Sequence, residues 1–466
     1  MKTKSVPSSW MERDGRRLDC NPYMSGALEA KVLLKSMQAR KDKLQTLTKY
    51  GISGIFHAGR IKRIWVHSAE QGRPFLSSTD ILQAQLANLP FISNKAVAEN
   101  PRLILHAGWT LITRSGTIGR TAYTRPDMEE YACSEDVLRV VPDAEKIPPG
   151  YLYAYLSSKF GVPLIVGGTY GAIIQHIEPE HIADLPVPRL GKRVEEKTNE
   201  LVRDAARLRS EASTELASIQ MTILDVLGLP DLRKSSVSRY SVNAVAASKL
   251  NSRLDASYHC TAAARAVSAV SASRAKHAPL CDVVKRYFKP PMFKRLWVDS
   301  TQYGCQFISG NDAYRYQAES DRFVSFKTPH FQEFLLEEGT VIFQAAGQIY
   351  GLFGQPIFVS GWLNGVFGAD DLYRLVPYTM NDGGFLYAFF KTAVGQILLK
   401  RQACGNSIPR VWDPHIRDTI VPWPDQLIRD DIGERVIGAH KKIERARVSE
   451  AEAIALVEAA IEKGAN

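Results

Sequence analysis

The chain repeats itself at half its length, and this duplication limits its possible folds more than any other feature of the sequence. Residues 61–80, IKRIWVHSAEQGRPFLSSTD, align with 293–312, FKRLWVDSTQYGCQFISGND, with nine identities in twenty. They are Lys62/Lys294, Arg63/Arg295, Trp65/Trp297, Val66/Val298, Ser68/Ser300, Gly72/Gly304, Phe75/Phe307, Ser77/Ser309 and Asp80/Asp312, at an offset of 232 in a chain of 466. Further matches keep the same order. Arg17-Leu-Asp19 returns as Arg253-Leu-Asp255, GWTLITRSGTIG around Gly108 and Gly116 as GTVIFQAAGQIYG around Gly339 and Gly347, and GYLYA at 150 as GFLYA at 384. HIADLPVP closes the first copy and HIRDTIVPWP the second. A collinear series of this kind predicts two similar domains.

After each PxP string the pattern changes to a helical one. Val194, Thr198, Leu201, Ala205, Leu208, Ala212, Ile219 and Val226 follow a 4,3 spacing, as do Ile432, Val436, Ala439, Ile443, Ala446, Ala453, Val457 and Ala460, with Glu450 as the one break. Each stretch covers about 40 residues, roughly 60 Å of helix. Two such apolar stripes cannot both stay in water, so they are expected to pair antiparallel. The fold class expected is α+β: two pseudo-repeated domains separated by two long helices forming an antiparallel coiled coil. The boundaries read as 1–189 and 230–424 for the domains and 190–229 and 425–466 for the helices.

Composition narrows the function. The net charge is +10, yet the helical stretches carry 6 basic against 7 acidic and 7 basic against 9 acidic residues, leaving 46 against 33 elsewhere. The excess therefore lies on the globular parts and favours an anionic partner. Six cysteines, Cys20, Cys133, Cys260, Cys281, Cys305 and Cys404, show no metal-ligand spacing and no disulfide framework, which points to a reducing cytoplasm. The charged N-terminus lacks the apolar core of a signal peptide, and the uncharged run Gln344–Ala369 is broken by glycines and a proline, so no membrane role is expected. No P-loop, intact Asn-Pro-Pro-aromatic loop, repeated Ser/His/Asp or Cys/His arrangement, or metal cluster is found, so no catalytic residue is assigned. His181 and His415 recur without a shared partner and read as structural. Asp143, Glu145 and Lys146 read as a polar loop.

Two unequal copies, each β-rich and followed by PxP and a long helix, resemble the specificity subunit of type I restriction-modification systems. The resemblance rests on Arg17-Leu-Asp19 with Tyr23 and Arg253-Leu-Asp255 with Tyr258, the turns at Gly116 and Gly347, the two aromatic-rich helices and the closing PxP strings. It implies two target-recognition domains, each reading one half of a bipartite asymmetric site in double-stranded DNA, with the helices setting the unread gap. It also implies a non-catalytic chain with no cofactor of its own. Two methyltransferase subunits and restriction (motor-nuclease) subunits would be its partners, and S-adenosylmethionine, ATP and Mg would sit on them. Three other readings stay open: a protein-interaction scaffold, the recognition module of a related anti-phage defence system, and a self-contained nuclease or methyltransferase.

Candidate DNA contacts follow from charge and position. Lys62-Arg63 and Lys294-Arg295 precede a tryptophan in both copies and suit phosphate or guanine, although a solvated strand edge explains them equally. Arg114 and Arg120 flank the Gly116 turn where the second copy has Gln344 and Gln348, an exchange that fits a change of base preference. Near Gly171 and Gly405, the loop residues Tyr170, Gln175, Arg401, Gln402, Asn406 and Arg410 are candidates because glycine allows close backbone approach to phosphate. Trp65/Trp297 and Tyr153/Tyr387 read as core, and the outer faces of the helices as docking surface for the methyltransferases.

Overall fold

The computed structural model describes residues 3–13, 21–86, 89–167, 176–234, 242–250, 253–316, 322–405, 407–411 and 413–465. The chain is α+β and divides into two compact units, the first residues 1–210 with 445–466, the second 211–444. These units cut across the expected boundaries, because each long helix, Lys192–Leu227 and Gln426–Ala465, contributes one part to each unit.

The repeat is realised strand for strand. In unit 1 an antiparallel sheet runs Ile55–Phe56, Val137–Val140, Thr110–Thr113, Thr121–Tyr123. In unit 2 the same order is Val284–Phe288, Leu372–Pro377, Val341–Gln344, Pro356–Phe358. A second sheet runs Trp65–Val66, Phe91–Ser93, Gly72–Leu76, Ala132–Cys133 in unit 1 and Trp297–Val298, Phe323–Ser325, Gly304–Ile308, Phe367–Gly368 in unit 2. Its last pair is parallel in both, Phe75 against Ala132 and Phe307 against Phe367. Each PxP string is a short strand, Pro186–Pro188 on Lys41–Lys43 and Ile420–Trp423 on Lys276–Pro279.

The shared identities are the pins of this second sheet. A Cβ on Gly72 would lie 2.2 Å from the Ile92 carbonyl oxygen, and one on Gly304 2.3 Å from that of Val324, so only glycine lets these strands meet. Ser77 donates to Asp80 through Oγ at 2.6 Å and through its backbone N–H at 2.8 Å; Ser309 and Asp312 repeat the turn at 2.7 and 2.8 Å. The uncharged run 344–369 resolves into short strands and turns, and no helix among the described residues is long and apolar enough to cross a membrane.

Within unit 1, Val202, Ala205 and Leu208 of the central helix are buried with Ala446, Ala453, Val457 and Ile461 of the C-terminal one. Within unit 2, Ile219, Ile223 and Leu227 share a core with Ile432 and Val436. The start of each helix therefore shares a unit with the end of the other, as antiparallel pairing requires. Val194 and Val226 are only half-buried, and Val202 and Leu227 carry the packing at those ends. Glu450, the break in the stripe, accepts hydrogen bonds from Tyr153 Oη and the Arg209 guanidinium, so a polar network replaces an apolar layer there.

The aromatic helices Pro149–Leu156 and Met380–Lys391 fill the unit cores. In unit 1, Tyr151 and Tyr155 donate to the carbonyls of Pro188 and Pro186, tying the PxP strand to the helix. In unit 2 the corresponding Phe385 meets Trp423 edge to face at 5.7 Å instead.

Candidate nucleic-acid interface

The clearest correction to the sequence reading concerns Trp65 and Trp297. Both were expected in the core, yet they are 46% and 45% exposed. Each sits on an outer strand of the second sheet and meets a phenylalanine edge to face at 5.2 Å, Trp65 on Phe75 and Trp297 on Phe307. Anchoring one edge on a buried ring fixes the indole while leaving the rest in water. Tyr153 and Tyr387, by contrast, are buried as expected.

Basic side chains surround these indoles. Arg63 lies over the Phe75 ring at 5.3 Å and pairs with Glu135 at 3.0 Å, and Arg295 lies over Phe307 at 5.8 Å. Lys62 and Lys294 are exposed, and neither takes part in an ion pair found among the described residues. Arg63 thus has a structural use that explains its repetition, whereas no ion pair among the described residues explains that of the lysines. In unit 2 the exposed Arg322 lies 5.2 Å from Trp297, with Tyr303 and Phe326 also exposed. These three were missed because the sequence comparison favoured identities, and their counterparts at offset 232 are Pro90, Gln71 and Asn94.

The remaining candidates divide into outward and inward groups. Arg120, Gln348 and Arg410 are exposed; Gln348 donates to the Ser407 carbonyl at 3.1 Å, and Arg410 lies on the short strand opposite Cys404. Arg114 is turned inward, donating to the Ile177 carbonyl at 3.0 Å and pairing with Glu178, so it braces the Gly116 hairpin. Gln344 folds against Gly310 and Gly347. Arg401 packs 3.7 Å above the Tyr258 ring and donates to the Tyr258 carbonyl, and burial holds its guanidinium below the usual range. Gln402 is buried and donates to Leu398. Gln402, Arg401 and Arg114 each donate a hydrogen bond within their own unit and so have a structural use there. Tyr170, Gln175 and Asn406, with Gly171 and Arg17–Asp19, lie outside the described residues.

The second Arg-Leu-Asp string is also structural. The Arg253 guanidinium donates to Asp255 at 2.5 and 2.6 Å and to the Ala403 carbonyl at 2.7 Å, with His415 Nδ1 at 3.0 Å. The Arg253 partner and hydrogen bonds hold the Asp255 carboxyl down at about 2. Cys404 Sγ lies 3.6 Å from the same His415 Nδ1, but burial pushes the thiol up and the imidazole down. Both shifts favour the neutral forms, the opposite of what activates a nucleophile. His181 closes a capping box with Glu178. No group of three or more His, Cys, Asp or Glu side chains among the described residues could hold a metal.

Each unit also buries an arginine at the matching place in its first sheet. Arg139 donates to the carbonyls of Ser134, Val137 and Cys133 at 2.6–2.9 Å, and Arg374 to those of Leu372, Phe334 and Gly368. Burial without a carboxylate partner lowers both, Arg374 to about 9. The guanidinium ties the second sheet to the first in each unit. Alignment of VLRVV with LYRLV would have revealed the pair.

Comparison with known proteins gives one kind of match. No protein-family model matches the sequence, and no curated protein does. Solved structures match along nearly the whole chain. These fold neighbours are type I restriction-modification proteins. The crystal structure of a type I restriction-modification S subunit from M. genitalium aligns over 92% of this chain and 96% of its own, at 12% identity and a TM-score of 0.36. The HsdS subunit from Thermoanaerobacter tengcongensis aligns over 91% and 96%, at 12% identity and 0.28. A structure described for complex assembly and conformational transition of the type I R-M system aligns over 92% and 97%, at 13% and 0.31.

Proposed function

We propose that this chain is the DNA-specificity subunit of a type I restriction-modification complex, reading a bipartite asymmetric site in double-stranded DNA. The observation that carries the reading is the duplicated sheet whose exposed tryptophan, with a lysine three residues before it, recurs while the side chains around it change. A repeated scaffold with divergent surfaces is what two readers of different base sequences require, since phosphate contacts position and base contacts specify. The recognition domains are 1–189 and 230–424, and the helices 190–229 and 425–466 form the spacer between them. The chain itself would be non-catalytic and cytoplasmic, without cofactor or metal. Two adenine methyltransferase subunits, binding S-adenosylmethionine, and motor-nuclease subunits, using ATP and Mg, would supply the chemistry.

Co-expression with the methyltransferase encoded beside its gene, followed by mapping of modified adenines across host DNA, tests the proposal. Two defined half-motifs separated by an unread gap are expected. Trp65→Ala and Trp297→Ala should each relax one half-motif and leave the other intact. Absence of any motif, with no stable complex, would sink the reading and favour a protein-interaction scaffold. Binding that fails to weaken as salt rises would do the same, because phosphate contacts release counterions.

A further inference from the structure

Each unit carries one of two aligned surfaces that share their charge and differ in their chemistry. At offset 232, residues 60–71 and 90–95 of unit 1 correspond to 292–303 and 322–327 of unit 2. The backbone confirms the match: the Asn94 N–H donates to the Gln71 carbonyl at 2.9 Å, and the Phe326 N–H to the Tyr303 carbonyl at 3.1 Å. In these segments unit 1 exposes Arg60, Lys62, Arg63 and Lys95 with one carboxylate, Glu70. Unit 2 exposes Lys294, Arg295, Arg322 and Lys327 with one carboxylate, Asp299. Both surfaces are net cationic and suit a polyanion. The uncharged groups differ. Unit 1 presents the side-chain amides of Gln71 and Asn94, whereas unit 2 presents a phenol and a phenyl ring, Tyr303 at 59% and Phe326 at 53% exposed.

The rings of unit 2 are fixed in place. Trp297 meets Phe307 edge to face, Phe307 meets Phe367 at 6.2 Å, Phe367 meets Phe331 at 5.3 Å, and Phe331 meets Phe326 edge to face at 5.4 Å. Trp297 and Phe326 are therefore the two wet ends of one aromatic row that runs through the buried Phe307 and Phe367. Arg322 lies 5.2 Å from the Trp297 ring and 5.3 Å from that of Phe307, which sets a cation directly beside the row. Rings already held in this way lose little side-chain freedom when a partner covers them. Apolar area left in water and rimmed by charge marks a binding face, and the positive sign of that charge selects nucleic acid over an apolar protein. The apolar group that a base edge offers is the C5 methyl of thymine, in a major groove about 12 Å wide that admits a two-stranded ribbon.

We infer that unit 2 reads its half of the site through thymine methyl groups in the major groove, packed against Phe326 and Tyr303. Unit 1 sets amides at the same two positions, the groups that pair with the edge of adenine. The inference rests on the proposed DNA-reading function and adds the base chemistry that one copy uses. It also accounts for a pair of copies that keep their cations and exchange amides for rings.

Replacement of thymine by uracil, which lacks only the methyl group, tests it. The full chain, co-purified with the methyltransferase encoded beside its gene, is titrated with a fluorescent duplex bearing the mapped motif and with duplexes in which each thymine of the motif is replaced in turn. Uracil at one or more positions of one half-motif should weaken binding about fourfold, as loss of one buried methyl group does. The double variant Tyr303→Gln, Phe326→Asn copies unit 1 at two exposed positions. It should reduce that penalty below about twofold, leave the unfolding midpoint unchanged, and relax the mapped motif of modified adenines at the same positions. Uracil accepted everywhere, or a penalty and a motif unchanged in the variant, would overturn the inference and leave the proposed function standing. A variant that no longer co-purifies with the methyltransferase would assign the face to a protein contact and overturn the inference as well. Absence of any motif, with no salt-sensitive binding to duplex DNA, would remove the proposed function and the inference together.

Discussion

At offset 232 the exposed positions 60, 62, 71 and 94 carry Arg, Lys, Gln and Asn in unit 1, and Met292, Lys294, Tyr303 and Phe326 in unit 2. Beneath them the strand order, the glycine contact, the Ser-Asp turn and the edge-to-face tryptophan are the same. The contrast extends inward to the long helices, where Tyr153 donates to Glu450 in unit 1 and Tyr387 meets His440 edge to face at 5.2 Å in unit 2. The divided pattern teaches that the repeat preserves what sets strand spacing, together with one exposed tryptophan and one exposed lysine, and releases much of what else faces water or tunes helix pairing. Substitutions at matched positions therefore report how independent the units are.

The largest effect is expected at the tyrosine–helix junction of unit 1. Arg209 is 5% exposed at its side chain and its ion pair is with Glu450. Glu450→Ala removes this carboxylate from a nearly buried guanidinium and from the Tyr153 hydroxyl, and should cost about 3–5 kcal/mol. Urea unfolding followed by proteolysis would locate the loss in unit 1 first. Simultaneous loss in both units would show that the helices couple them into one folding unit.

The glycine pair comes next. Gly72→Ala and Gly304→Ala each drive a methyl group into a facing carbonyl and should cost about 2–3 kcal/mol through overpacking and strand displacement. Equal losses would establish that the two second sheets are energetically interchangeable as well as alike in order. A difference above roughly 1 kcal/mol, beyond ordinary context dependence, would mean that one sheet relaxes and the copies have diverged in rigidity.

His440 sharpens the contrast in a different way. It is buried beside Phe358, Tyr387 and Ser360 Oγ, and burial, reinforced by Lys391, lowers it to about 3. The unfolded chain binds a proton near 6.5 while the folded chain does not, so the contribution is complete above about 6.5 and is lost as pH falls toward 3. The slope is about 1.4 kcal/mol per pH unit. His440→Phe should flatten the acid limb of a stability-versus-pH curve by that amount. An unchanged limb would mean that the imidazole charges inside the fold.

The sequence made the architecture legible because the residues that hold strands at a fixed distance cannot vary: Gly72 and Gly304 meet a carbonyl, and Asp80 and Asp312 close a turn. The helix stripes were legible for the same reason, down to the break at Glu450. The site was legible only in part. Gly, Arg and Gln near a turn look alike whether they face DNA or brace the fold, and Arg114, Arg401 and Gln402 each have a bracing hydrogen bond that the sequence does not announce. Trp65 and Trp297 read as core because a repeated indole usually is, and nothing local in the sequence shows that only one edge is covered. Tyr303, Phe326 and Arg322 escaped because an interface that differs between copies leaves no identity to find. The buried arginines escaped because backbone carbonyls, which every residue carries, satisfy them, so only the register of VLRVV against LYRLV shows the pair.

The smallest effect decides whether both copies of the repeated lysine do the same work. Lys62 and Lys294 are exposed, and no ion pair among the described residues explains their recurrence. Lys62→Ala and Lys294→Ala should leave unfolding midpoints within about 0.5 kcal/mol of the parent, as surface changes do. If each lysine meets one phosphate, each substitution lowers the slope of log affinity against log salt by about 1, and the double substitution by about 2, for cognate and non-cognate DNA alike. A drop from only one of them would show that one unit grips the backbone through this strand while the other relies on its altered rim. Unit 2, where a phenol and a phenyl ring near Trp297 replace two amides with apolar contact area, would then be the unit that gives up the phosphate.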